Sequence, residues 1–141
     1  MKITTNSEKE TFDFAKKFAR ALKGGECIGL VGNLGAGKTI FTKGLAAGLG
    51  VKGIVNSPTF VLMKIYDIKN KTSRIKKLVH IDAYRVKSSS EITSIGLDDY
   101  IDKKNILVIE WPRNIKIKTS ILIAIKSNSQ LQRTISIKQN K

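Results

Sequence analysis

A chain of 141 residues, 41% hydrophobic and 26% charged, has the size and composition of one soluble globular domain with little room for a separate lid. No apolar run approaches the roughly 18 residues of a membrane-spanning helix. The first eight residues lack the apolar stretch of a secretory signal, so a cytoplasmic protein without a membrane partner is expected. Cys27 is the only cysteine, which excludes an intramolecular disulfide, and its apolar surroundings suit a small buried thiol. The net charge of +15 admits nucleic-acid binding. Yet 21 of the 26 basic residues are lysine, Ile (20) outnumbers Leu (11), and the lysines fall singly or in pairs along the chain. The leading expectation is therefore general solvation and attraction for acidic or phosphate-bearing partners, ahead of direct RNA contact.

No repeat or linker interrupts residues 1–141, which read as one domain. Ser7 and Glu10 form a capping box, and Phe14, Ala15, Phe18, Ala19 and Leu22 follow at helical spacing, predicting a helix over 7–22 that Gly24 and Gly25 stop. An apolar strand is expected over 26–31, then a Gly-rich turn, then a helix over 38–49 ended by Gly50. Strands over 59–67 and 77–82 are joined by a polar turn at 69–72. A fully apolar run over 105–110 suits a buried parallel strand. The β-rich segments 120–125 and 133–137 flank Ser127-Asn128-Ser129-Gln130 and predict a C-terminal hairpin. The pattern is that of a three-layer α/β fold around a central mixed sheet.

Gly32-Asn33-Leu34-Gly35-Ala36-Gly37-Lys38-Thr39 matches the phosphate-binding loop G-x-x-x-x-G-K-[ST], with a strand before it and a helix after it. The fold class is thus that of a P-loop NTPase. Glycines let successive N–H groups turn toward phosphates, and the helix N-terminus adds partial positive charge. Lys38, expected to stand in solvent until phosphate arrives, reaches the β- and γ-phosphates, and the Thr39 hydroxyl supplies a magnesium ligand. An acid at a neighbouring strand end is also required. Asp82 and Glu110 both qualify, and spacing does not choose between them.

The loop is followed in order by Ser57-Pro58-Thr59-Phe60, His80-Ile81-Asp82-Ala83-Tyr84-Arg85, Gly96-Leu97-Asp98-Asp99-Tyr100 and Glu110-Trp111-Pro112. Together these motifs resemble the bacterial tRNA threonylcarbamoyladenosine biosynthesis ATPase family (TsaE, formerly YjeE) over nearly the whole chain. The resemblance implies ATP and Mg2+ as cofactors. It also implies ATP hydrolysis in the modification (t6A) of the adenosine beside the anticodon in tRNAs reading codons that begin with A. The implied partners are two kinase-fold subunits of TsaB and TsaD type, one of which is the transferase, with tRNA reached through that complex. Thr39 and Glu110 fall on the family's magnesium ligands, leaving Asp82 to orient water or the metal shell. Leu34, Gly35, Ala36, Gly37, Lys38 and Thr39 would contact phosphates, and Ser7, Pro112 and Arg133 fall near positions flanking the nucleotide. Two departures stand out: Asn33 replaces the family's usual Asp, and Arg113 replaces the usual acid after Trp-Pro.

Several other residues carry two readings. Ser57-Pro58-Thr59 forms either a switch loop sensing the γ-phosphate or a plain turn. His80 suits a core histidine better than a zinc ligand. Trp111 lies near the site by its adjacency to Glu110. Arg85 holds a phosphate, a partner or a surface ion pair. Two rival functions share the loop: a small-molecule kinase, and a nucleotide-gated assembly module with little turnover, which Asn33 favours. A GTPase is disfavoured because Asn70-Lys71-Thr72-Ser73 lacks the base-reading Asp.

Overall fold

The computed structural model describes residues 1–53, 55–56 and 62–140, with only the backbone of 89, 92 and 93. The expected switch at Ser57, Pro58 and Thr59, and the first part of the strand expected over 59–67, lie outside the described residues. The chain opens with strand β1 (Lys2–Thr5), helix α1 (Glu8–Ala19), strand β2 (Cys27–Val31) and helix α2 (Lys38–Leu49). Strands β3 (Met63–Asp67) and β4 (Lys77–Asp82) follow, then a short helix α3 (Ser89–Ser94) and a 3-10 turn, Leu97–Tyr100. Strand β5 (Asn105–Glu110), a second 3-10 turn, Pro112–Asn114, and the hairpin β6 (Ile121–Ser127) and β7 (Arg133–Gln139) complete it.

All seven strands form one mixed sheet in the order β1-β7-β6-β2-β5-β4-β3. The central strands β6, β2, β5 and β4 are parallel; β3 on one side and β7 on the other run antiparallel to them, and β1, antiparallel to β7, runs in their direction again. Parallel strands need crossovers that cover both faces, and β5 is accordingly buried at every position. Its alternation sorts the core. Ile106 and Val108 join Leu30, Phe41 and Leu45 beneath α1 and α2. Leu107 and Ile109 join Val79, Ile81 and Leu97 on the opposite face. That second face is covered by a thin layer in which the turn at Leu97 and residues Val86 and Ile115 stand in for a long helix.

The predicted elements shift at their ends for identifiable reasons. The Ser7 hydroxyl accepts the Glu10 N–H at 3.0 Å, and Glu10 reaches back one residue further, accepting the Asn6 N–H. Helix α1 stops at Ala19, because residues 20–22 tighten into i→i−3 hydrogen bonds. Glu26 belongs to the turn and not the strand, since its carboxylate accepts the N–H groups of Lys23 and Gly24. Strand β1 was not expected: it is four residues long, has Ile3 as its one large apolar residue, and is defined by pairing with β7 from the far end of the chain. Cys27 is half-buried and unpaired, and burial pushes its thiol up to about 11, so it is an inert thiol at neutral pH.

Helices α1 and α2 touch closely. Phe14 and Phe18 lean on Phe41 with ring centroids 6.4 and 6.2 Å apart. Beside them Gly44 presses its Cα against the Phe12 carbonyl, and a Cβ at that position would also come within 2.9 Å of Ala15 Cβ. In an open helix, Gly→Ala gains about 1 kcal/mol. Here the obstacle is backbone that cannot yield, and overpacking costs about 1–3 kcal/mol. Gly44→Ala is therefore expected to destabilise the protein by up to about 2 kcal/mol net, read as a lower urea midpoint. A raised midpoint would show that the helix pair can spread without cost.

Candidate functional site

Three adjacent parallel strands, β2, β5 and β4, end at the same edge of the sheet, and each delivers part of the site there. β2 runs into the phosphate-loop sequence, β5 ends on Glu110, and β4 ends on Asp82, which sits opposite Glu110 in register. The alternation that places Ile106 and Val108 on the α1/α2 face puts Glu110 there too, with His80 beside it. The loop closes on Gly37, at φ +107°, which opens α2 without a side-chain cap. That leaves the positive end of a 12-residue helix directed at the cleft. Gly35, at φ +80°, lines the cleft, and a Cβ there would meet no atom within 4 Å. Glycine is required by its left-handed backbone, and the room for a ligand is already present.

Lys38 is 6% exposed, contrary to the expectation of a solvent-facing lysine. Its ammonium folds back to donate to the Gly32 carbonyl at 2.7 Å and lies 4.2 Å from the centroid of the Trp111 ring. Burial holds its pKa below the ordinary lysine value, partly opposed by the charges of Glu110 and Asp82. Trp111 reaches this place through an uncommon backbone, φ 59° and ψ 53°, which caps the Pro112–Asn114 turn. Such a left-handed tryptophan costs on the order of 1–2 kcal/mol. It swings the indole off the end of β5 onto Lys38 and against Tyr84, whose ring centroid is 4.9 Å away.

Glu110, 4% exposed, is held by His80 from the neighbouring strand, with Nε2 2.9 Å from Oε2. An ionised carboxylate only accepts, so the His80 Nε2 carries the hydrogen. His80 Nδ1 is buried with no hydrogen-bond partner among the described residues. His80 is thus a core histidine whose polar edge orients Glu110. Asp82 is half-buried and accepts the Tyr84 N–H at 3.0 Å, a bond that folds the next residues over the strand end. From the hairpin, Arg133 donates to the carbonyls of Ser129 at 2.8 Å and Gln132 at 3.0 Å, and its Nε would lie 3.5 Å from a Cβ at Gly37.

These groups surround a cleft of about 390 Å³, of a size suited to a nucleotide. Its walls bring together Leu34, Gly35, Gly37, Lys38, Thr39, Asp82, Glu110 and Arg133, all expected at the site. Ala36 is buried beneath the loop, and Pro112 is buried against Gly29, outside the cleft walls. Ser7 caps α1 next to Glu8 and is likewise outside them. The walls also include Glu8, Thr11, Ile40 and Leu131, which sequence reasoning missed. The capping box places the start of α1, so the available signal was helical spacing, which sets Thr11 four residues after Ser7 and three after Glu8. For Leu131 there was none beyond its place in the hairpin loop. Among the described residues no group of three or more His, Cys, Asp and Glu side chains gathers as an all-protein metal cage. A hydroxyl at Thr39 and a carboxylate at Glu110 instead suit a cation that keeps water and phosphate among its ligands.

Comparison with known proteins agrees with this geometry. The family described as threonylcarbamoyl adenosine biosynthesis protein TsaE matches residues 5–135. The tRNA threonylcarbamoyladenosine biosynthesis protein TsaE of Bacillus subtilis is 41% identical over 116 residues, covering 82% of this chain and 69% of that protein. That of Aquifex aeolicus is 37% identical over 137 residues, covering 96% and 93%. The crystal structure of Bacillus subtilis YdiB superposes with a TM-score of 0.74 at 32% identity, over 99% of this chain and 84% of that one. With the loop, the strand-end acids and the mixed sheet in place, the chain belongs to the TsaE family of threonylcarbamoyl adenosine biosynthesis proteins.

Proposed function

We propose that this chain binds ATP with magnesium and hydrolyses the γ-phosphate as an accessory subunit in threonylcarbamoyl modification of tRNA. The modified base is the adenosine beside the anticodon in tRNAs reading codons that begin with A. The chain works in the cytoplasm with two kinase-fold subunits of TsaB and TsaD type, and the transfer itself belongs to a partner. The observation that carries this reading is the Lys38 ammonium at the mouth of the loop, held among the described residues by the Gly32 carbonyl and the Trp111 ring. A partly dehydrated cation gains more from a polyphosphate than a fully solvated one does. Magnesium, when bound, supplies charge that offsets the build-up on the phosphates during in-line attack.

The chain's own groups divide the remaining work. The α2 N-terminus and the loop N–H groups orient the phosphates, and Lys38 swings from Gly32 toward them. Thr39 and Glu110 would hold the metal, and Asp82 would orient water at the strand end. Arg133, leaning on the loop from β7, is the basic side chain placed to contact the nucleotide from the hairpin. Asn33 favours a second reading, a nucleotide-gated assembly module with slow turnover. Its amide can hydrogen-bond but cannot act as a base or attract a proton from water.

Two measurements test these roles. Lys38→Ala removes a charge-assisted contact worth about 1.5–3 kcal/mol, so Mg-ATP affinity is expected to fall by roughly 10- to 100-fold. In the wild type, binding should also change Trp111 emission as Lys38 leaves the indole. Unchanged affinity in the variant would exclude the phosphate assignment. His80→Ala strands the Glu110 carboxylate, and is expected to raise the magnesium needed for nucleotide binding by about tenfold, an estimate of one lost charged hydrogen bond. His80→Gln, which can present an N–H near the position of Nε2, is expected to recover most of that loss. If both variants lose stability equally and leave the magnesium requirement untouched, His80 is only a packing residue.

A further inference from the structure

The end of the sheet opposite the nucleotide cleft carries a second concavity, of about 600 Å³. Five of the seven residues that line it are cationic, Lys23, Arg74, Lys76, Lys103 and Lys104, against 26 of 141 in the whole chain. Lysines that are scattered in sequence are therefore gathered in space by the fold. Each of the five is exposed, and among the described residues none of them forms an ion pair. Three acids share this end, and the cations outnumber them: Glu26 accepts the N–H groups of Lys23 and Gly24, Asp102 accepts the N–H of Lys104, and Asp67 pairs with a sixth cation, Lys77.

The backbone beneath the cations is fixed. Lys76 N–H donates to the Lys104 carbonyl at 2.6 Å, and Gly25 N–H donates to the Asn105 carbonyl at 2.9 Å. Gly24 packs directly on the Lys103 carbonyl, where no Cβ fits. The loops leading into β2, β4 and β5 are thus stitched together, and the positive side chains are brought to one mouth without a ligand. These loops feed the N-terminal ends of the strands whose C-terminal ends build the cleft. Six residues at about 3.3 Å each separate the two by roughly 20 Å, so the nucleotide cannot be the anion that this end receives.

We propose that this basic concavity is a binding site for the phosphodiester backbone of RNA, giving the chain its own contact with tRNA. The lining decides between RNA and an acidic protein. Among the described residues, Gly24 and Ser73 complete the lining beside the five cations. A protein interface has apolar or aromatic anchors at its centre, whereas cations alone are the chemistry of phosphate contact and carry no sequence readout. The proposal takes the tRNA pathway from the proposed function but depends on neither ATP binding nor hydrolysis.

The test measures binding of labelled unmodified tRNA to the full chain by fluorescence anisotropy across a salt series. K103E/K104E and R74E/K76E are compared with K16E/K17E, an equal charge change on the exposed face of α1. The two concavity variants are expected to bind at least tenfold more weakly than K16E/K17E. Their log–log salt slope is expected to shrink by about 1.4–1.8, since each of two lost phosphate contacts removes roughly 0.7–0.9. The neutral variant K103Q/K104Q should show the same direction, and Mg-ATP titration followed by Trp111 reports whether each variant keeps its fold and its cleft. Failure of Mg-ATP binding in the wild type would remove the proposed function while leaving this comparison readable. Equal loss in all three charge-reversed pairs would make the effect bulk charge and overturn the site. So would wild-type tRNA binding with weakened capture of poly-glutamate, which would make this face a dock for an acidic protein.

Discussion

The Lys38 ammonium is partly withdrawn from water with no acid in direct contact among the described residues, and the surrounding strands are arranged to make that tolerable. Dehydrating a cation costs several kcal/mol even after the protein relaxes. Against this stand one charge-assisted bond to the Gly32 carbonyl, worth about 1.5–3 kcal/mol, and the face of Trp111, worth about 1–2 kcal/mol when desolvated. Glu110 and Asp82 add attraction at longer range, yet burial still leaves the lysine pKa below its ordinary value. The deficit that remains is what a phosphate repays. A site that holds its cation at a cost, with the replacement contact missing, favours polyanions over water without needing to change shape much.

Everything that surrounds this cation follows from three parallel strands ending together. Parallel pairing of β2, β5 and β4 aligns Leu30 with Glu110 and Glu110 with Asp82, so the loop and both acids emerge side by side. Antiparallel neighbours would have sent one of the acids to the other end of the sheet. The strain at Trp111 belongs to the same arrangement. A right-handed or extended residue after Glu110 would carry the indole away from Lys38, so the left-handed turn is where the fold spends stability on the site.

The parts of the fold legible in sequence were those encoded by short-range pattern. The phosphate loop, the capping box, the apolar run of β5 and the terminal hairpin are all local signals, and each appears where its residues predict. What was not legible depends on partners distant in sequence. β1 exists because β7 offers an edge, and Lys38 is buried because Trp111, more than seventy positions later, folds over it. Asp82 and Glu110 could not be separated by spacing because they are register partners on equivalent strand ends. The physical difference between them is His80, which holds Glu110 in the interior while Asp82 answers to the Tyr84 N–H at the rim. Sequence positions likewise do not show that three loops distant in sequence bring five cations to one concavity.

The two ends of the sheet are well separated, and this bears on what their coexistence would mean. At physiological ionic strength the Debye length is about 8 Å, less than half of the roughly 20 Å that six-residue strands place between them. Salt therefore weakens any repulsion, through solvent, between an anion in the cleft and one at the basic end. Any mechanical coupling between them has to pass along β2, β4 and β5, whose interiors are buried. Strands pinned on both faces transmit displacement along their length poorly unless the sheet moves as a body. Occupancy of the cleft is better placed to act on what the cleft rim touches, through Trp111 and Tyr84, than on what the far end holds. The arrangement suits a protein whose nucleotide state is read by partners at the rim while its basic end stays constantly attractive to phosphate.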